Sequence, residues 1–120
     1  MTDDSSISDF FDRYSRALAA GDAHAVAQFY ATPSLMVFPG QSLPVAEQSQ
    51  IEEFFTSSWG GSGGPGSAEG DQTTLATAEH SAWIDVTWRY GGDERERFVY
   101  QLVGSADAGW RIAVQTPLAV

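Results

Sequence analysis

Ile7, Phe10, Phe11, Tyr14, Ala17 and Leu18 recur at the i, i+3, i+4, i+7 spacing that gathers them on one face of a helix. A stripe that apolar has to be covered, and the next residues show what covers it. Gly21-Asp22 supplies a left-handed helix stop and a fresh N-cap in succession. Val26, Phe29 and Tyr30 form a second short amphipathic run, and Pro33 cannot continue a helix. Ser6 and Asp9 match a capping box, so the first helix is expected from near Ile7 to near Ala20 and the second from about Ala23 to Tyr30. Leu35-Met36-Val37-Phe38 reads as a strand stopped by Pro39-Gly40, and residues 41–46 fit either a brief strand or a turn. A third helix is expected over about Glu47 to Trp59, with Ile51, Phe54, Phe55 and Trp59 at helical spacing.

Beyond it the pattern changes. Residues 60–71 are rich in glycine and read as a flexible loop inside one domain, 1–120, whose first six residues are also expected to be flexible. No lysine follows the glycines, so they do not form a phosphate cradle. Four strands are expected at about 72–79, 81–90, 96–104 and 109–116, separated by short turns at Glu79-His80, Gly91-Gly92-Asp93 and residues 105–109. Short turns make an antiparallel meander, and helices followed by a meander give an α+β chain.

Composition narrows the chemistry. The net charge is −10, and the six basic residues are all arginine. Without lysine there is no Schiff base, and a surface this acidic repels nucleic acid and anionic lipid. With no cysteine there are no disulfides, thiolate ligands or thiol nucleophile. His24 and His80 read as surface residues, and neither a metal nor a cofactor is expected. No apolar run reaches the ~18 residues of a membrane span. The acidic start MTDDSSISDF lacks a basic leader region, so a cytoplasmic protein is expected.

The pattern RYSRALAAGDAHAVAQFYATPSLMV, then Pro-Gly, IEEFF, VTWRY and a final WRI strand resembles the NTF2-like superfamily, including its SnoaL-like and ketosteroid isomerase-like branches. The resemblance implies a cone of three N-terminal helices packed on a curved, mostly antiparallel sheet. It also implies roles. Tyr14 falls where the isomerases place a tyrosine that donates to a developing oxyanion, and Gln101 where they place a second donor, a protonated aspartic acid. Phe38 falls at their general-base aspartate, and a phenyl ring has no proton to exchange.

Strand alternation puts Val86 and Trp88 on one face and Trp83, Asp85, Thr87 and Arg89 on the other. Strand 96–103 is apolar on both faces; Val99, Gln101 and Val103 are assigned inward, and Phe98 and Tyr100 outward with Trp83. A strand apolar on both sides is covered on both, so a homodimer through the outer sheet face is expected. The expected pocket comprises Tyr14, Phe38, Phe54, Phe55, Trp59, Val86, Trp88, Gln101 and Leu118. It suits a small, largely apolar molecule bound without catalysis. Two alternatives stand beside it: an isomerase, dehydratase or cyclase of steroid- or polyketide-like substrates, and an interaction module using the outer face. Asp85, Arg89 and Arg97 read as an outward ion-pair group.

Overall fold

A computed structural model describes residues 5–60, 64–91, 95–105 and 107–120. The chain runs α1 (Ser5–Ala20), α2 (Ala23–Ala27), β1 (Tyr30–Phe38), β2 (Gln41–Val45), α3 (Gln48–Trp59), β3 (Glu69–Thr77), β4 (Ser81–Arg89), β5 (Arg95–Ser105) and β6 (Gly109–Leu118). The α+β class is as expected. Only α1 and α3 are long, however, because the second helix shrinks to five residues. Asp22 caps it as anticipated, its Oδ1 accepting from the Ala25 amide at 3.0 Å. Tyr30 then already belongs to β1, where it pairs with Ile112, and this sheet pairing outcompetes the helical periodicity of residues 28–30. Helix α1 closes on Gly21, whose φ of 67° suits a residue without Cβ.

The six strands form one sheet in the order β2-β1-β6-β5-β4-β3. All neighbours are antiparallel except β1 and β6, which run parallel. Of residues 41–46, Gln41–Val45 form the return strand of a hairpin with β1. Residues 69–71, expected in the glycine loop, are the start of β3, paired with Thr87, Trp88 and Arg89. Residues 1–4, the loop centre 61–63, the turn residues 92–94 and Ala106 lie outside the described residues. Ahead of α3, Gln50 Oε1 accepts from the amides of Ala46 and Glu47 at 2.8 and 3.0 Å, fixing the helix start.

Helix α1 lies across the inner sheet face. Ile7, Phe10, Phe11, Tyr14 and Leu18 are all buried, with Phe11 5.4 Å from Tyr100 and Tyr14 5.9 Å from Trp88 between ring centroids. Burial of each such side chain is worth roughly 1.5–3 kcal/mol against an extended chain, as an upper bound. The stripe therefore fixes α1 more firmly than its intrinsic helix propensity does.

Two strand faces differ from expectation, and both differences move site residues. In β5 the inward set is Phe98, Tyr100 and Leu102, because they stand opposite Val86, Ile84 and Ala82 of β4. Gln101 pairs with the outward Trp83 instead. A strand apolar on both sides carries no phase signal of its own; only its partner sets it. In β6 a register shift opposite Gln101 and Leu102 places Leu102 against Ile112 but Gln101 against Val114. One extra residue flips the alternation. Trp110 and Ile112 are buried before the shift and Gln115 after it, so Leu118 ends 38% exposed.

Candidate functional site

Between α1, α3 and the inner sheet face lies a cavity of about 540 Å³, within the range of small-molecule pockets. Its walls are largely aromatic: Phe38, Phe54, Phe55 and Trp59 on one side, Tyr90, Phe98 and Tyr100 on the other. The α3 rings pack in sequence, Phe54 on Phe55 at 5.2 Å and Phe55 on Trp59 at 5.4 Å, with Phe38 5.5 Å from Phe54. They hold one another in place while leaving the central space open.

Of the nine expected pocket residues, Tyr14, Phe38, Phe54, Phe55 and Trp59 line this cavity. Val86 and Trp88 face inward but are buried within the packed sheet face, outside the lining. Gln101 and Leu118 lie on the far side of the sheet for the two phase reasons above. The inward assignment of Gln101 and the outward assignment of Phe98 and Tyr100 are both reversed.

The polar floor is made of tyrosine hydroxyls and a glutamine from β6. The Tyr30 hydroxyl donates to Gln115 Oε1, a carbonyl oxygen that can only accept. With its proton committed, Tyr30 accepts from Tyr14 across 2.7 Å. Tyr14 therefore has its proton committed as well, and the Nε2 amide of Gln115 is the donor left on that side chain. Trp88 Nε1 donates to the Tyr100 oxygen at 2.8 Å, and the Tyr100 hydroxyl in turn hydrogen-bonds to Tyr14. Burial, the largest cause in each case, holds the hydroxyls of Tyr14, Tyr30 and Tyr100 well above the usual tyrosine value, so all three are neutral phenols near pH 7. The resemblance led to a glutamine donor near Tyr14. A glutamine is near it through Tyr30, but it is Gln115, and the bulge hid it.

One carboxylate also lines the cavity, that of Glu96. The signal for it was available in β5: once Tyr100 is inward, Glu96 four residues earlier shares its face, opposite Trp88. The other noted charges lie elsewhere. Arg97 grips Asp85 on the outer face, its Nε 3.0 Å from Oδ1. The same guanidinium, by hydrogen bonding first, holds the Asp85 carboxyl below its usual value. Arg89 reaches across to Asp71 at 2.9 Å and Glu69 at 3.3 Å. His24 meets Glu52 at 2.9 Å and His80 meets Glu79 at 3.7 Å, both on the surface. No helix among the described residues is long and apolar enough to cross a membrane.

Solved structures share this architecture. An NTF-2-like protein of unknown function from Shewanella oneidensis superposes with a TM-score of 0.77 at 13% identity, covering 94% of this chain and 96% of that one. A domain of unknown function with a cystatin-like fold from Nostoc punctiforme gives 0.73 at 19% identity, over 98% and 78%. A ketosteroid isomerase-like protein from Erwinia carotovora atroseptica gives 0.67 at 15% identity, over the full length of both chains. At such identities the likeness is one of fold. No curated protein matches the chain. The family described as NTF2-like protein (DUF6841) matches residues 3–119, which is nearly the whole sequence, and the chain belongs to that family.

Proposed function

We propose that this chain binds a small, largely apolar, ring-containing ligand in the cone, with the ligand's polar end on the floor formed by Tyr14, Gln115 and Tyr100. The observation that carries the reading is the cavity itself: about 540 Å³, walled by aromatic rings, with a buried hydroxyl chain beneath. The rings supply contact area, and the few polar groups fix orientation. Position 38 holds a phenyl ring, so no base acts from there.

The test is tryptophan fluorescence and thermal shift against a panel of steroids, phenols and polyketide-like aromatics. Trp59 lines the cavity and Trp88 lies against its floor. A saturable quench with a raised Tm is expected, and no response across the panel would sink the reading.

Two further readings each have an observation behind them. The Glu96 carboxylate shares the cavity with Phe38 and Tyr14, which favours an isomerase, dehydratase or cyclase whose base comes from β5; turnover abolished in Glu96→Gln is its test. Trp83, 41% exposed on the outer face beside the Asp85–Arg97 pair, favours a second copy of the chain covering that face. A monomeric mass at micromolar concentration would count against that homodimer.

A further inference from the structure

The cavity's charge is one-sided. Glu96 is its carboxylate, and no arginine or histidine is among the described lining residues. Among those residues Glu96 also stands without an ion pair, while Asp85, Asp71, Glu69 and Glu52 each have a basic partner. The arginines beside it in β5, Arg95 and Arg97, fall on the opposite face by strand alternation, Arg95 pairing with Arg89. Arg97 and Arg89 are turned to the outer face and are committed to Asp85, Asp71 and Glu69. Glu96 instead stands on the inner face opposite Trp88, close enough that its charge contributes to raising the Tyr100 hydroxyl.

What surrounds this charge favours a cation as well. Trp59, Phe54, Phe98 and Tyr90 line the same cavity, and aromatic rings attract a cation placed over them. Tyr14 has its proton given to Tyr30, so its hydroxyl presents no donor that would favour an anion. An anionic ligand would meet repulsion from Glu96 with no cationic side chain among the described lining residues to offset it, and a neutral one would leave that carboxylate unused. A protonated amine satisfies the carboxylate and the rings together.

We infer that the cavity selects a cationic, amine-bearing ring compound, with Glu96 as the counter-charge at its mouth. This rests on the ligand-binding reading above and names the chemical class of its ligand. Because Glu96 is exposed, solvent screens it, and the preference is moderate rather than absolute.

The experiment is titration calorimetry with three matched probes: naphthylmethylamine, naphthylmethanol and naphthoate. The amine should bind roughly five- to tenfold tighter than the alcohol, and the naphthoate weakest. Glu96→Gln should remove that preference while leaving the alcohol's affinity within about twofold. Glu53→Gln makes the same charge change on the exposed side of α3 and should leave the preference intact. An unchanged ratio in Glu96→Gln, or an equal loss in Glu53→Gln, overturns the inference while the cavity reading stands. Absence of binding by all three probes overturns both.

Discussion

Tyr30 is the hinge of the polar floor, since it receives the Tyr14 proton and gives its own to Gln115. Tyr30→Phe leaves two buried polar groups short of a partner, and a loss of about 1–3 kcal/mol is expected. A urea unfolding series on the variant checks it; an unchanged midpoint would mean the hydroxyl chain contributes nothing. Gln115→Leu should couple to that substitution in a double-mutant cycle, because both remove the same bond. At this scale the sequence was legible where a residue sits on a strong stripe. Tyr14 falls among five buried positions of α1 and could be placed from spacing alone. Gln115 could not, since the extra residue in β6 that turns it inward has no composition of its own.

The outer face of β4 and β5 carries a paired charge whose pH dependence has a definite sign. Hydrogen bonding from Arg97 depresses the Asp85 carboxyl in the folded state. A depressed carboxyl stabilises the fold above its unfolded value of about 3.9 and loses that contribution as pH falls through the folded value. Asp85→Asn should therefore destabilise the protein at neutral pH and cost progressively less below about pH 4. Thermal unfolding of both proteins across that range measures it, and a pH-independent difference would break the link to ionisation. The same two strands show the limit of reading elements from sequence. Strand β4 alternates cleanly, with Ala82, Ile84, Val86 and Trp88 buried, and its faces were read correctly. Strand β5 is apolar on both faces, so its phase was decided by pairing with β4, a long-range fact absent from local pattern. The short α2 shows the same priority of sheet over helix.

For the molecule as a whole, the three buried tyrosines set an alkaline limit. Burial raises their hydroxyls in the fold, so the stability held by their neutral forms is complete below the unfolded value of about 10 and is lost as pH rises above it. The urea midpoint should hold between about pH 8 and pH 10 and then fall, with tyrosinate absorbance rising in step with unfolding. Absorbance beyond that of Tyr90, which is only partly buried, rising while the fold persists would place these hydroxyls in contact with solvent.

The class, the two long helices and the meander were legible because stripe, caps and turn residues agree with one another. The β6 strand was legible as the last of the meander, beside β5, but its parallel pairing with β1, which puts it between the two, is a long-range fact absent from local signals. On a ribosome this arrangement has a consequence. The β1–β2 hairpin and the β3–β4–β5 meander can each form as the chain emerges, but they share no edge until residues 109–118 are added. Until β6 is made the nascent chain carries its aromatic interior unsealed, and closure of the sheet waits for this strand to slide between two halves already made.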